Sequence, residues 1–317
     1  MSAGRQLSGT AFAVRDPWPW PDFARLARDA ETGGYRAVFL PEITGRDAFA
    51  ALTALAGETS TLALGTGIVP MDARTLPITA MAAATVHERS GGRAIVGLGT
   101  GAATQGALDR LRAVVAAIRS AFQGEPVVMD GRAFTLSLTL ASQPQIWISA
   151  LGPKAVALAG EIADGVLLNW CTPERVVAAR SQLAVGAERA GRDPGAVTVA
   201  AYIRASLGTD APAAMRALQR ATGEYAGYPA YARQFQAMGL GTQASVAADA
   251  VRAGRPEDVP VALIHAIALT GDPAAAHLRL AAYREAGVDL PVLYPVAAGS
   301  DPLGSVRTTL TALAPGP

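Results

Sequence analysis

The sequence predicts an α/β fold, a (β/α)8 TIM barrel forming a single domain over residues 1–317, and three observations predict it. Eight short apolar runs recur along the chain, and segments with helical apolar spacing separate them. Each run is apolar throughout rather than alternating, as parallel strands covered on both faces must be, and eight such strands close a barrel. A chain of 317 residues, 50% hydrophobic, can also bury the one large core that this fold needs.

Thr10 to Val14 is the first strand, broken by Asp16-Pro17-Trp18-Pro19-Trp20-Pro21. Phe23, Leu26, Ala27 and Ala30 then recur at helical spacing until Gly33-Gly34 stop the helix. Ala37 to Leu40 is the second strand and runs into Pro41-Glu42; Ala48 to Glu58 is helical; Leu62 to Val69 reads as the third strand, with Gly65 and Gly67 inside it. A helix from Ile78 to Arg89 ends at Ser90-Gly91-Gly92, Ala94 to Leu98 is the fourth strand, and Gly99-Thr100-Gly101 is its exit. After the periodic helix Leu108 to Phe122, Asp130-Gly131 stands between two apolar runs, the signal of a β-hairpin inserted after strand four. Gln145 to Trp170 is a complete strand-helix-strand unit: Ile146 to Ser149, the turn Leu151-Gly152-Pro153, a helix through Ile162, then Asp164-Gly165 and the strand Val166 to Asn169. Val197 to Ile203 and Leu290 to Pro295 are strands seven and eight, and the Ala-rich helical stretch from Ala211 to Ala286 is an extended connection before strand eight. The competing fold is a doubly wound sheet, because Gly97-x-Gly99-x-x-Ala102 loosely fits a dinucleotide fingerprint. That motif follows the fourth strand, however, and no acidic residue closes a strand about 20 positions on.

A net charge of +1 without a basic stripe gives no reason to expect nucleic acid as a partner. Cys171 is the only cysteine, which excludes an internal disulfide and a cysteine zinc site and leaves a buried structural thiol. No leader-like N-terminus and no apolar run of about 18 residues is legible, so a soluble cytoplasmic protein with no membrane partner is expected. His87, His265 and His277 are too scattered to hold a metal, and none is expected. There is no G-x-S-x-G elbow and no Walker loop. Few titratable groups and several glycines suit a bound cofactor that carries the reaction itself.

In a barrel the function sits at the C-terminal strand ends, which here are Glu42, Thr66 to Val69, Thr100 to Gln105, Ala150 to Ala155, Asn169 to Cys171, Arg204 and Tyr294. The hairpin and the long connection are candidate lids or pocket walls. Pro153 stands where a first helical residue should, so the amides around it open at a helix N-terminus, where an anion binds; an ordinary turn fits the same residues. Lys154, the only lysine of the chain, lies in this turn, either as an ammonium near a phosphate or as a solvated helix-start residue.

Arg74-x-x-Pro77, Ser90-Gly91-Gly92-Arg93, Gly97-Leu98-Gly99-Thr100-Gly101, Ala150-Leu151-Gly152-Pro153-Lys154 and Ala159-Gly160-x-x-Ala163-Asp164-Gly165 together resemble the luciferase-like superfamily of flavin- and deazaflavin-dependent barrels. The likeness runs from strand one to strand eight and is strongest to members that use coenzyme F420. It implies a homodimer acting on a small molecule, with F420, or alternatively FMN, in the barrel mouth. The implied cofactor contacts are Gly67 and Ile68, joined by a non-proline cis peptide behind the ring; Thr100, Gly101 and Gln105; Ala150, Leu151, Gly152, Pro153, Lys154 and Ala155 around the phosphate; and Asn169 and Trp170 beside ring or substrate. Two positions depart from the family's sugar-phosphate dehydrogenases: Glu42 is followed by Ile43 instead of His, and Ala102 replaces an acidic residue. Alcohol oxidation needs a base for the hydroxyl proton, so the expected reaction is hydride donation to a C=C or C=N bond, with Glu42 as the candidate acid. The same resemblance covers an FMN-dependent monooxygenase, and the shortage of acid/base groups also fits a barrel that only binds the cofactor.

Overall fold

The computed structural model describes residues 6–15, 17–101, 104–208 and 210–316. In chain order the strands are β1 (Ala11–Ala13), β2 (Ala37–Leu40), β3 (Ala63–Thr66), β4 (Val69–Pro70), β5 (Ala94–Gly99), β6 (Val127–Met129), β7 (Arg132–Phe134), β8 (Gln145–Ser149), β9 (Gly165–Asn169), β10 (Thr198–Ala205), β11 (Ala268–Leu269) and β12 (Leu290–Pro295). The helices are α1 (Trp20–Thr32), α2 (Ala48–Ala56), α3 (Leu76–Arg89), α4 (Ala107–Phe122), α5 (Pro153–Ile162), α6 (Pro173–Arg189), α7 (Ala211–Ala226), α8 (Pro229–Ala237), α9 (Gly241–Arg252), α10 (Val261–Ile267), α11 (Pro273–Glu285) and α12 (Pro302–Ala312). Strands β1, β2, β3, β5, β8, β9, β10 and β12 pair in parallel in that order, and β12 pairs back onto β1, so the sheet closes as an eight-stranded (β/α)8 barrel.

Alternate residues of each strand face opposite ways, which divides the core into two layers. Phe12, Val38, Leu64, Val96, Ile146 and Val199 pack outward against the helices. Ala11, Ala37, Phe39, Ile95, Trp147, Leu167, Ala200 and Val292 fill the barrel interior. Two large rings fit there because glycine stands opposite each: a Cβ at Gly65 would lie 2.4 Å from the Phe39 ring, and one at Gly165 would lie 2.5 Å from the indole of Trp147.

Several residues of the recurring motifs stabilise the scaffold at the end opposite the site. Arg93, just before β5, donates to the carbonyls of Ala56, Thr59 and Leu62 and so ties down the end of α2. Asp164 accepts from the Ile146 amide and from Arg119. Gly160 and Gly186 let α5 and α6 touch backbone to backbone, since an added Cβ would come within 2.1 Å of the Leu183 carbonyl and 1.8 Å of the Ala157 carbonyl.

The expected hairpin is present as β6 and β7, turning at Asp130 (φ 50) and Gly131 (φ 72). Its tip reaches the rim of the mouth, where Asp130 and Asp72 share Arg110. The stretch from α7 to α10 carries a hydrophobic cluster of its own, in which Leu218, Phe235, Ala247, Leu263 and Ile264 surround Trp170. This layer is pinned to the barrel by Gln234, whose side-chain amide donates to the carbonyls of Asn169 and Trp170 at 2.6 Å each.

Candidate active site

Along β3 the sequence Leu62 to Val69 was expected to run as one strand; the structure ends it at Thr66 and resumes it at Val69. The gap is bridged by a side chain. Thr66 Oγ1 accepts from the Gly97 amide at 2.8 Å and donates to the Gly97 carbonyl at 2.9 Å, replacing the ladder bonds that the backbone no longer makes. The Gly67–Ile68 peptide is cis. Its position is fixed from three sides: the Gly67 amide donates to the Leu40 carbonyl at 2.8 Å, Tyr202 Oη donates to the Gly67 carbonyl at 3.0 Å, and the Glu42 amide donates to the Ile68 carbonyl at 3.2 Å. A Cβ at Gly67 would meet Tyr202 Oη at 1.7 Å, one at Gly97 the Thr66 carbonyl at 2.0 Å, and one at Gly99 the Ile68 side chain at 2.6 Å. Beyond Gly99 the chain passes half-buried Thr100, exposed Gly101 (φ 65) and exposed Gln105; Ala102 lies outside the described residues.

At the end of β8, Ala150 is buried and its amide donates to the Leu167 carbonyl. Half-buried Leu151 presents its carbonyl to Arg175 at 2.8 Å. Gly152, Pro153 and Lys154 are exposed and Ala155 is half-buried. The first helical bond of α5 is Val156 N–H to the Gly152 carbonyl, and Gly152 offers no side chain to cap the turn. The amides of Lys154 and Ala155 therefore open at the helix N-terminus, where the helix dipole is positive. A cleft of about 500 Å³ opens beside this turn between α4, α5 and α6, lined among others by Pro153, Lys154, Arg112 and Arg189.

Glu42, expected as the proton donor, is paired with Arg74. Arg74 Nε donates to Oε1 at 2.6 Å and Arg74 Nη2 to Oε2 at 3.0 Å, while the Ala48 amide reaches Oε2 at 3.3 Å. Both carboxylate oxygens are acceptors, and the two bonds from Arg74 are charge-assisted. Arg74 also binds Asp47, and the Glu42 and Asp47 carboxylates together hold its guanidinium above the usual arginine range. The triad fastens the exit of β2 to the loop before α3.

The opposite half of the mouth is aromatic. Arg204, near the end of β10, lies 4.3 Å from the ring centres of Trp170 and Tyr294 and 5.2 Å from that of Tyr225, and donates to Asn169 Oδ1 at 2.5 Å. Asn169 in turn donates to Tyr231 Oη at 2.9 Å. Trp170, which with Asp130 is one of two non-glycine residues at positive φ among the described residues (49°), turns its ring down into the helical layer, where it is buried and packs 4.9 Å from Tyr225. Burial pushes the Tyr231 phenol up to about 12 and raises that of Tyr294. Both are neutral hydroxyl donors across the physiological range.

Residues 6–290 match the family described as luciferase-like monooxygenase. The chain belongs to this family. Among luciferase-like proteins, the 5,10-methylenetetrahydromethanopterin reductase of Methanolobus tindarius is 37% identical over 227 residues, covering 67% of this chain and 68% of that protein. The F420-dependent hydroxymycolic acid dehydrogenase of Mycobacterium tuberculosis is 34% identical over 221 residues, covering 60% of this chain and 60% of that protein, less than two thirds of its length. The solved coenzyme F420-dependent tetrahydromethanopterin reductase of Methanopyrus kandleri aligns with a TM-score of 0.79 at 23% identity over 98% of each chain, a likeness of fold. With such relatives, this luciferase-like chain is an oxidoreductase.

The strand ends thus bring together the residues expected of a luciferase-like mouth in one half, from Gly67 to Ala155, and join them to a half that the sequence showed only through Asn169, Trp170, Arg204 and Tyr294. Tyr225, Tyr231, Gln234 and Arg15 were not anticipated. A signal existed: Tyr225, Tyr228 and Tyr231 are three of the seven tyrosines of the chain within one stretch of seven residues. Cys171 is buried, and burial pushes its thiol up to about 12, as befits a structural residue. Among the described residues no group of His, Cys, Asp and Glu could hold a metal ion, and no helix is long and apolar enough to cross a membrane.

Proposed function

We propose that this oxidoreductase is an F420-dependent reductase that delivers a hydride to a C=C or C=N bond of a small organic substrate. The observation that carries the reading is the state of the acid–base groups. Oxidising an alcohol requires a base at the reacting hydroxyl. Glu42 is held by Arg74 through both oxygens, and His87, His265 and His277 all stand on outer helices, His87 against Ser142 and His277 against the Ala312 carbonyl. Reduction asks for less. Tyr231 and Tyr294, kept neutral by burial, or a water beside them, can supply the proton.

The deazaflavin, when bound, supplies the hydride, and the protein supplies position and a dry surface. The residues fit such a group. Gly67 and Ile68 form a flat, side-chain-poor wall for a ring, and the uncapped amides of Lys154 and Ala155 suit a phosphate, with open space above Gly152 where a Cβ would touch nothing within 4 Å. Thr100, Gly101 and Gln105 follow β5, and Asn169 ends β9, one strand beyond β8 in the barrel. The names of the relatives above support F420 as the cofactor.

Titration of the purified protein with F420 and with FMN tests the reading, alongside the variant Gly152→Asp. F420 binds and FMN does not in the expected outcome, and the variant, which sets a carboxylate against the phosphate, loses F420 affinity by at least about tenfold. Preference for FMN with oxygen consumption overturns the reading in favour of a monooxygenase. Unchanged F420 affinity in Gly152→Asp removes the phosphate from this turn.

A further inference from the structure

Arg204 is 4% exposed, and a guanidinium this deep ordinarily faces a carboxylate. Among the described residues none stands within ion-pair reach of it. Its one hydrogen bond goes to the neutral amide oxygen of Asn169. The rings of Trp170, Tyr294 and Tyr225, centred 4.3, 4.3 and 5.2 Å from the guanidinium carbon, offset part of the charge. A ring face does not replace a hydrogen-bond acceptor for the remaining N–H groups of the fork.

A further feature of the same cluster has the same sign. Arg15, at the exit of β1, stands beside the hydroxyls of Tyr294 and Tyr225, so a second cation shares these two rings with Arg204. The cluster therefore presents two guanidinium groups and the hydroxyls of Tyr225, Tyr231 and Tyr294. Its chemistry is complementary to an acceptor-only anion attached to a flat carbon frame.

We propose that Arg204, assisted by Arg15, is the specificity-determining group for the substrate, and that the substrate is a small unsaturated organic acid whose carboxylate lies on the Arg204 fork and whose planar frame lies against Tyr225 and Tyr294. This rests on the reductase reading and narrows it to a substrate class. The carboxylate sets the register of the molecule in the mouth, and so decides which of its carbons faces the glycine-lined wall. Neither arginine takes part in bond making; both are positioning residues. Two sources supply such an anion, a substrate acid and the acidic side chain of the cofactor, and the test separates them.

The full chain is titrated calorimetrically with benzoate and trans-cinnamate and with the matching amides, benzamide and cinnamamide, with and without saturating F420. The same titrations are made on Arg204→Met, on Arg204→Lys and on Arg15→Met. The acids bind the wild type at least about tenfold more tightly than the amides, with F420 present as well as absent. Arg204→Met loses acid affinity by about thirtyfold or more, the loss expected when one partner of a buried charge pair is removed, and keeps F420 affinity within about twofold. Arg204→Lys recovers part of the acid affinity, and Arg15→Met shows a smaller loss; these two carry the test if Arg204→Met does not fold. Equal binding of acids and amides overturns the proposal. So does displacement of the acids by F420 together with loss of F420 affinity in the Arg204 variants, which assigns the site to the cofactor. F420 binding without acid preference refutes this inference alone, whereas acid preference in a protein that takes FMN refutes the reductase reading alone.

Discussion

The two halves of the barrel mouth are built by opposite means. Around β3, β5 and β8 the surface is backbone: Gly67, Gly97, Gly99, Gly101 and Gly152 keep side chains out, and Thr66 repairs the one ladder break with its hydroxyl. Around β9, β10 and β12 the surface is side chain: Arg204 is boxed by Trp170, Tyr225 and Tyr294, with Tyr231 reaching in from α8. A backbone wall selects by shape and barely by charge, so it suits a flat ring common to a family. A wall of phenols around a buried cation selects by charge and hydrogen bonding, so it suits the partner that differs from one family member to the next. The helical layer from α7 to α10 supplies two of the tyrosines and is fastened through Gln234 to the end of β9.

Substitution of the glycines breaks the first half with the largest effects. Gly97→Ala sets a methyl 2.0 Å from the Thr66 carbonyl, a backbone atom that no rotamer can move. The expected cost is about 3 kcal/mol, read as a lower urea midpoint. Gly67→Ala meets a side-chain atom instead, Tyr202 Oη at 1.7 Å, with the Tyr202 ring carbon and Phe39 Cβ each at 3.0 Å. Its cost is smaller and partly recoverable: in the Tyr202→Phe background the clashing oxygen is gone, and Gly67→Ala should destabilise by about 1 kcal/mol less than in the wild type. Equal costs in both backgrounds would show that the backbone at Gly67, not the phenol, sets the limit.

This contrast also governs what the sequence revealed. The eight barrel strands were legible because each is buried on both faces and reads as a continuous apolar run, and the Asp130-Gly131 turn was legible because it needs two residues at positive φ. The glycine half followed from the same local signals, although the end of β3 at Thr66 did not, since Leu62 to Val69 remains apolar across the break. The aromatic half depends on distance. Asn169 and Tyr231 are 62 residues apart, and only the docking of α8 on the barrel brings them together. The partner of Glu42 was hidden for a similar reason: Arg74, which donates to both its oxygens, lies 32 residues away.

High pH probes the aromatic half with an intermediate effect. Tyr231 has its phenol raised from about 10 to about 12, chiefly by burial, so between these values the unfolded chain loses the proton while the folded chain keeps it. The unfolded state then binds fewer protons, and stability falls as pH rises from about 10 to about 12; below pH 10 this group contributes no slope. Tyr231→Phe removes that contribution, so the decline measured by urea unfolding across this window becomes shallower, by up to about 2 kcal/mol between its ends. At pH 7 the variant loses only the bond from Asn169, about 1 kcal/mol. An unchanged alkaline slope would mean that the phenol is solvated and that the aromatic half is open to water.

The smallest expected change in stability belongs to Gly152, and for that reason it separates the two kinds of glycine most cleanly. Its φ of −87° and ψ of 163° are open to any residue, and a Cβ there would have nothing within 4 Å. Gly152→Ala should therefore leave the urea midpoint within the equivalent of about 0.5 kcal/mol of wild type, in contrast to Gly97→Ala on the neighbouring strand. Packing within the fold gives this position no reason to lack a side chain. Clearance for a group outside the fold does, and the methyl would stand over the amides that open at the start of α5. F420 affinity measured on the same protein distinguishes the cases: a loss with unchanged stability assigns the clearance to the cofactor, while equal affinity leaves the turn as a helix start and moves the phosphate elsewhere on the backbone half of the mouth.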